Sequence, residues 1–479
     1  MDKHSALLLT LSAYAIALLV LGIVAQRRTH SQSEFLLGGR ALGPFLAAIS
    51  ASASSSSVWT LLGVSGFAYA QGLLALWLFP ACVGGFCLNW FLVAPRIRRL
   101  SRDDGSLTAI QLLLGRQRGA GFTTPRLVAV AIVAFSLTCY VAAQFRGAGK
   151  SFAASFEGLN EDHAVVIGAL VVLLYTVAGG LWAVSLTDTV QGSLMALAAL
   201  ALPLMALVEV GGPGALATGI AAVEAPGFDD PFGGARGASA ALAVLTLLGI
   251  GLGYPGQPHV VNFFMAIRGE AELRRARRIA IAWACCVYAG MILLGLCGRV
   301  LHSAVEGGVL ADRETVFFAL ADQLGTPLVA GLVLAAVLSA IMSTADSQLL
   351  VVGASFAHDL RRDERQERLG SSRAVVVAVA IIAVLLALFV EESLFRSVLF
   401  AWTALGAAFG PLLLVTLWRG RVGPRRSLVA MLVGFASAVI AYAIPATRGS
   451  SVERVLPFLL AFACLLLPGP GPRPAREPA

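Results

Sequence analysis

Charged residues are scarce in this chain. Only 13% of its 479 residues are Asp, Glu, Lys or Arg, about half the usual share of a soluble domain, and 58% are hydrophobic. A chain with so little charge cannot cover itself with a polar surface, so its apolar segments are expected to face lipid. These segments are continuous apolar runs, which excludes a porin-like barrel and predicts an all-α polytopic membrane protein.

Other absences exclude other classes of protein. The seven cysteines are an odd number in apolar stretches, and their spacing fits neither a disulfide framework nor a zinc site. The net charge of +8 comes from basic residues in short loops without interleaved aromatic residues, so nucleic acid is not an expected partner. No segment outside the apolar runs is long enough for a catalytic domain, so we do not expect an enzyme. No organic cofactor and no obligate protein partner are predicted.

Thirteen apolar runs are candidate membrane spans. The first, residues 6–26, ends in Arg27 and Arg28 without a small-residue cleavage site, so we interpret it as a retained helix and not as a signal peptide. The others lie at about 42–66, 72–94, 127–149, 163–183, 188–208, 238–264, 279–298, 327–357, 373–390, 397–418, 427–445 and 455–468. The Pro-rich tail at 469–479 is predicted to be disordered.

Lys and Arg are distributed unequally between the loops. If the N-terminus is outside, 26 of the 35 Lys and Arg residues fall on the inner side. Cytoplasmic loops carry an excess of such cations, so we expect a plasma (inner) membrane protein with an outside N-terminus and a cytoplasmic C-terminus. An even number of spans would remove this asymmetry, which therefore also favours thirteen.

Two of the runs contain segments that should break a helix inside the membrane. Residues 50–57 alternate Ser and Ala and end in four serines, and residues 249–258 contain four glycines and two prolines. Serine hydroxyls compete with the helical hydrogen bonds, and proline lacks a donor. Carbonyl groups freed in this way need a partner, so they are candidate cation ligands. The alternatives are a small-residue packing face and a simple kink.

The two segments are related by position. If the first span is set aside, they fall in the first and the sixth of the remaining twelve, so they cross the membrane in opposite directions. Interrupted helices at corresponding positions of two inverted halves are typical of secondary transporters. We therefore predict an N-terminal helix and loop (1–41), two halves of five helices each (42–208 and 209–418), and two C-terminal helices with the tail (419–479).

A third polar cluster lies inside the ninth run. Ser343, Thr344 and Ser347 are spaced so that their hydroxyls share one helical face, and hydroxyl oxygens suit a hard cation such as Na⁺. Back-bonding within the helix is the alternative. Asp346 is a functional candidate because an intramembrane carboxylate is costly, with a structural pair or an aqueous vestibule as alternatives. Asp188 follows a predicted span, where a solvated turn residue is the alternative.

These clusters resemble the sodium/solute symporter family, and most closely its proline-transporting members. The resemblance covers about residues 6–420, and the matching stretches are 36–40, 50–59, 179–191, 251–259, 276–279 and 342–344. It implies a LeuT-like five-plus-five inverted repeat of thirteen helices, two of them broken. It also implies a secondary active transporter that couples Na⁺ entry to uptake of a small organic solute, proline or a related amino acid. The expected partners are that solute and the lipid bilayer.

The resemblance further implies site residues. One Na⁺ would be held by backbone oxygens and hydroxyls of Ala53, Ser56, Ala340, Ser343 and Thr344. The solute would lie between the two broken helices, where the candidates are Ser57, Tyr140, Tyr254, Gln257 and Pro258. Asp188 would lie near the inner route of the ion, and Asp346 is a second candidate for coupling. For Tyr140, a packing role is the alternative.

Two positions depart from the proline transporters. Ser55 stands where they carry an Asp that matters for Na⁺ coupling, and Ile250 stands where they carry a Trp of the solute pocket. The loss of an aromatic wall changes the shape of a pocket. H⁺-coupled symport of a carboxylate or another small metabolite through Asp346 is therefore one alternative. A membrane-embedded sensor of the same fold is another.

Overall fold

The part of the chain that the structure describes is predominantly helical. The structure is a computed structural model, and it describes residues 3–26, 32–116, 120–156, 158–176, 181–305, 307–360, 369–389 and 392–467. The predicted disordered tail, Arg27 and Arg28, and the first two residues of the 179–191 stretch lie outside these residues.

The α-helices are numbered in chain order. They are α1 (Lys3–Gln26), α2 (Gln32–Leu37), α3 (Pro44–Val58), α4 (Val64–Gln71), α5 (Leu78–Cys87), α6 (Ala94–Asp104), α7 (Ala109–Leu114), α8 (Ala120–Ser155), α9 (Glu161–Thr176), α10 (Leu181–Val210), α11 (Pro213–Ala222), α12 (Ala238–Leu248), α13 (Pro258–Ala266), α14 (Glu270–Ser303), α15 (Val316–Leu324), α16 (Pro327–Ala354), α17 (Leu369–Phe389), α18 (Leu394–Arg419), α19 (Pro424–Ala443) and α20 (Ser451–Leu466). The predicted all-α class is confirmed.

Each of the thirteen apolar runs coincides with a helix or a broken helix. Among the described residues, nine helical segments are long and apolar enough to cross a membrane, and shorter apolar helices add to them. One of the nine, Pro44–Asp104, contains two of the runs, because its helices follow one another directly. The protein is therefore multi-pass, and the count of thirteen stays a prediction.

Several helices extend beyond the apolar runs. The helix α6 continues to Asp104, and α14 begins at Glu270, although both ends are rich in charged residues. Arg and Glu are good helix formers, so a helix need not stop where the hydrocarbon ends. The connecting segments also contain the short helices α2, α7, α11 and α15, which hydrophobicity alone did not predict.

The first predicted break lies at the end of the serine run. Ser57 has φ 33° and ψ −179°, a conformation that L-residues rarely adopt, so the helical hydrogen bonds are interrupted there. The chain resumes through a π-helical turn at Trp59–Gly63 and continues as α4. The helices α3 and α4 are thus two parts of one broken helix.

The second predicted break lies in the Gly/Pro segment. After α12 the chain tightens into a 3₁₀ turn at Gly249–Gly256, and Gln257 is extended with φ −90° and ψ 105°. The helix restarts as α13 at Pro258, where the missing N–H group of proline costs nothing. The helices α12 and α13 are therefore the second broken helix, and both predicted breaks are confirmed.

The two broken helices run in opposite directions. Before α3, the N–H of Leu42 donates to the carbonyl of Ala266 at the end of α13 (3.1 Å), and the N–H of Arg268 donates back to Leu42 (3.1 Å). At the other end, the N–H of Leu73 donates to Phe228, which precedes α12 (2.8 Å). The start of each helix thus meets the end of the other, as an inverted repeat requires.

The interior is organised around α16 and the first broken helix. The helix α3 packs against α10, α14 and α16, and the second broken helix packs against α5 and α18. Every residue of α16 from Val333 to Ala354 is buried. The third polar cluster predicted from the sequence therefore lies inside the protein and not on a lipid-facing surface.

Candidate functional site

The serine-rich part of α3 faces the hydroxyl-rich face of α16. The hydroxyl oxygens of Ser54 and Ser347 lie 2.5 Å apart. The hydroxyl of Thr344 donates to the carbonyl of Ala53 at 3.5 Å and to that of Ser54 at 3.3 Å. The structure thus brings two predicted Na⁺ ligands together across a sequence separation of 291 residues.

The other predicted ligands lie on the same two helices, Ser56 on α3 and Ala340 and Ser343 on α16. The hydroxyl of Ser343 is 3.4 Å from the carbonyl oxygen of Ala340, and Ser56 is fully buried one residue before the break. Hydrogen bonds of 3.3–3.5 Å are long, so these oxygens are held near one another by weak bonds only. Hydroxyl and carbonyl oxygens are suitable ligands for a hard cation, and the set fits Na⁺.

Ser55 does not take part in this contact. Its hydroxyl donates to the carbonyls of Ala51 at 2.7 Å and Ser52 at 3.1 Å, both in its own helix. Ser55 thus bonds within α3, and its hydroxyl is not directed to α16 by either of these bonds.

Two carboxylates are buried beside the hydroxyl-rich face. Asp188 of α10 and Asp346 of α16 are both fully buried and close enough to interact electrostatically, and Tyr14 of α1 lies near both. Among the described residues, neither carboxylate has a side-chain hydrogen-bond partner. The alternative of a solvated turn for Asp188 is wrong, because this residue lies inside α10. A buried acidic pair of this kind is stable only when a cation or a proton offsets its charge.

At the first break, a side chain from α8 contacts the broken backbone. The hydroxyl of Tyr140 donates to the hydroxyl of Ser57 at 3.2 Å, and Ser57 accepts from the N–H of Trp59 at 3.2 Å. The N–H of Val58 donates to the side-chain oxygen of Gln144, also at 3.2 Å. Tyr140 therefore has a specific polar contact at the break and is more than a packing residue.

At the second break, the candidates Tyr254 and Gln257 contact neighbouring helices. The hydroxyls of Tyr254 and Tyr288 lie 3.0 Å apart. The amide of Gln257 donates to the carbonyls of Gly253 at 3.0 Å and Trp402 at 3.1 Å. The side chains of Tyr254 and Gln257 are thus bound by α14 and α18, respectively.

Pro258 and the residue after it face different neighbours. Pro258 lines a small apolar pocket with Ala109, Leu113 and Phe409, on the side of α7 and α18. The ring of His259 lies beside Tyr140, with centroids 6.5 Å apart, and both of its nitrogens are buried with no hydrogen-bond partner in the described part of the chain. Pro258 thus begins α13, and the side chain beside Tyr140 is that of His259.

Sequence reasoning missed three residues of this region, Gln144, His259 and Trp402. A polar residue in an apolar run was a usable signal for Gln144, and so was the place of His259 directly after the break. Trp402 carried no such signal, because an aromatic residue in a membrane helix is ordinary.

Solved structures share this architecture. The chain superposes with a TM-score of 0.79 on a Na⁺-coupled sialic acid symporter in a substrate-bound, outward-open state, at 17% identity and 97% coverage of both chains. It superposes with a TM-score of 0.55 on a nucleobase-cation-symport-1 family transporter in a closed conformation, at 13% identity, covering 91% of this chain and 95% of that one. At such identities the likeness establishes the LeuT-like fold.

Sequence relatives identify the family. The osmoregulated proline transporter OpuE of Bacillus subtilis (strain 168) is 34% identical over 94% of this chain and 92% of its own length. The sodium/proline symporter of Escherichia coli (strain K12) is 33% identical over 91% of this chain and 87% of its own length. The profile of the sodium:solute symporter family matches residues 35–434. With its two broken helices and the oxygen-rich contact between α3 and α16, the chain belongs to the sodium:solute symporter family.

Proposed function

We propose that proline or a related amino acid is the solute that this Na⁺-coupled symporter takes into the cell. Both relatives named above are proline transporters, and each aligns with most of this chain. The proposed Na⁺ site rests on one observation, the contact of the Thr344 hydroxyl with the carbonyls of Ala53 and Ser54, at 3.5 and 3.3 Å. Na⁺ binds there as a transported ion, and Ser56, Ala340 and Ser343 supply its other ligands.

The solute side lies between the two breaks. At the start of the outer part of the first broken helix, the N–H groups of Val58 and Trp59 donate to the side chains of Gln144 and Ser57, and a helix N-terminus also favours a carboxylate. Tyr140 and Tyr254 offer aromatic faces for an apolar amino-acid body. We therefore assign Ser57, Tyr140, Tyr254 and Gln257 to solute binding, with Pro258 fixing the start of α13.

The ion contact gives a basis for coupling. Na⁺ bound between α3 and α16 stabilises the conformation in which these helices are together, and only such a difference in affinity shifts a conformational equilibrium. One charge moving inward at −100 mV supplies about 2.3 kcal/mol. In this proposal the N-terminus is outside and the C-terminus is cytoplasmic, as the distribution of Lys and Arg indicates.

Asp188 and Asp346 are proposed as the route and coupling residues for the ion. Asp346 lies on α16 with Ser343 and Thr344, so a cation leaving those hydroxyls meets the buried acidic pair. The same pair supports a second candidate, H⁺-coupled symport, because neither carboxylate has a side-chain hydrogen-bond partner in the described part of the chain. A proton would then neutralise the pair in place of Na⁺.

The test is uptake of a radiolabelled solute panel into proteoliposomes, with an inward Na⁺ gradient or an inward H⁺ gradient imposed separately. We expect proline to accumulate against its gradient only when the Na⁺ gradient is present. Accumulation driven by the H⁺ gradient alone would contradict Na⁺ coupling. Accumulation of another solute in preference to proline would contradict the proposed substrate.

A further inference from the structure

We infer that Trp402 of α18 forms an aromatic wall of the solute pocket and helps to set solute selectivity. This inference rests on the proposed location of the solute between the two breaks. It concerns a residue that lies about 150 positions from the second break in sequence and is joined to it by two hydrogen bonds.

Trp402 lies between the two candidate tyrosines. Its ring meets Tyr254 edge to face, with centroids 4.8 Å apart and an interplanar angle of 80°. It also meets Tyr140 edge to face, at 6.5 Å and 80°. Only 4% of Trp402 is exposed. One helix of each half thus contributes a tyrosine, and α18 contributes the aromatic ring that touches both.

The backbone of the second break holds this ring in place. The indole N–H donates to the carbonyl of Ile250 at 3.1 Å, and the carbonyl of Trp402 accepts from the amide of Gln257 at 3.1 Å. A β-carbon at Gly253 would lie 2.2 Å from the indole nitrogen, so the absence of a side chain at Gly253 makes room for the ring. Two bonds and a close approach fix the orientation of Trp402 against the second break.

The position of this ring bears on the departure at Ile250. Ile250 stands where the resemblance to the proline transporters implies a Trp in the solute pocket, so an aromatic wall was not expected there. The indole of Trp402 is bonded to the carbonyl of Ile250 itself, so an aromatic wall is present at this place and comes from α18. A solute with a compact apolar body and an amino group suits such a wall, because aromatic faces favour both aliphatic packing and cations.

The experiment measures which solutes stabilise the purified full-length protein against heat at saturating Na⁺. The panel contains azetidine-2-carboxylate, proline, pipecolate and valine, which differ in ring size and shape. The variants are Trp402→Leu, Trp402→Phe and the double variant Ile250→Trp with Trp402→Leu. Trp283→Leu is the matched control, because the indole of Trp283 is also buried and also donates to a backbone carbonyl, that of Gly192, at 2.8 Å.

We expect Trp402→Leu to weaken proline binding about fivefold and to shift the ranking toward the larger ring of pipecolate. Trp402→Phe should keep most of the wild-type ranking, and the double variant should restore part of it by supplying the ring from position 250. Trp283→Leu should lower thermal stability without changing the ranking.

An unchanged ranking in Trp402→Leu, or the same change in Trp283→Leu, would overturn the inference and leave the proposed function standing. A wild-type protein that prefers a solute other than proline would overturn the proposed substrate, while Trp402 would still be judged by the change in ranking. Stabilisation of the wild type by no member of the panel would contradict both.

Discussion

The two broken helices interrupt the membrane interior with different chemistry. At the first break, carbonyls of α3 face hydroxyls of α16, and Ser54 and Ser347 lie 2.5 Å apart. At the second, larger side chains bind the Gly/Pro segment: Tyr288 contacts the hydroxyl of Tyr254, and Trp402 donates to the carbonyl of Ile250. Small oxygen-bearing groups can converge on an ion, whereas aromatic rings give a surface of defined shape. We propose from this difference that the first break takes the cation and that both breaks share the solute.

The buried acidic pair gives the strongest way to test the ion side of this comparison. Asp188→Asn removes one of two buried carboxylates that have no side-chain hydrogen-bond partner among the described residues, so cation affinity should fall by about 2–3 kcal/mol, or about a hundredfold. The measurement is the Na⁺ concentration for half-maximal uptake in proteoliposomes. Asp230→Asn is the control, because this carboxylate lies in a loop and pairs with Arg236. Equal Na⁺ dependence in both variants would exclude Asp188 from the ion route.

The hydroxyls of α16 should have a smaller effect. Thr344→Ala and Ser343→Ala each remove one neutral oxygen ligand, so the Na⁺ requirement for uptake should rise about tenfold. Ser437→Ala is the matched control, because the Ser437 hydroxyl bonds only within α19, to Val433 and Gly434. Folding, measured by thermal unfolding without Na⁺, should not change. Wild-type sodium dependence in both site variants would remove the proposed Na⁺ site.

Tyr288 contacts both broken helices, so it tests whether the two breaks act independently. Its hydroxyl lies 3.5 Å from that of Thr60 in the first broken helix and 3.0 Å from that of Tyr254 in the second. Tyr288→Phe should therefore weaken the stimulation of proline binding by Na⁺ about fivefold, since one hydrogen bond is worth about 1 kcal/mol. Proline affinity is measured with and without Na⁺. Tyr442→Phe, which removes a hydroxyl bonded to Glu392, serves as the control, and an equal effect there would show that Tyr288 has no special role.

Ile250→Trp should have the smallest effect. It adds a second aromatic residue beside the carbonyl that Trp402 already binds, so competition by proline should improve only about two- to threefold. The measurement is the competition profile of the solute panel against labelled substrate. An unchanged profile would show that position 250 does not line the pocket.

Much of the fold followed from the sequence because the signals were local. The serines at 50–57 and the glycines and prolines at 249–258 disturb a helix wherever it folds, and both breaks occur there. The spacing of Ser343, Thr344 and Ser347 likewise defines one helical face, whatever packs against it. Composition and periodicity therefore predicted the elements of the candidate site.

The contacts between distant segments could not be predicted in the same way. Ile250 and Trp402 are separated by 152 residues, and nothing in a single sequence relates them. The burial of Asp188 depended on how far α10 extends toward Leu181, and charged residues near helix ends give no clear boundary. Which residues contact one another, and how deeply each is buried, depend on how the helices pack. A single sequence does not show this packing.

The proposed division of roles is that the first break selects the ion and that α18 at the second break selects the solute. It is tested most directly by measuring two quantities, the half-saturating Na⁺ concentration and the solute ranking at saturating Na⁺, in Thr344→Ala and Trp402→Leu. We predict that Thr344→Ala changes the Na⁺ concentration and keeps the ranking, and that Trp402→Leu changes the ranking and keeps the Na⁺ concentration within about twofold. Equal changes of both quantities in both variants would contradict this division of roles.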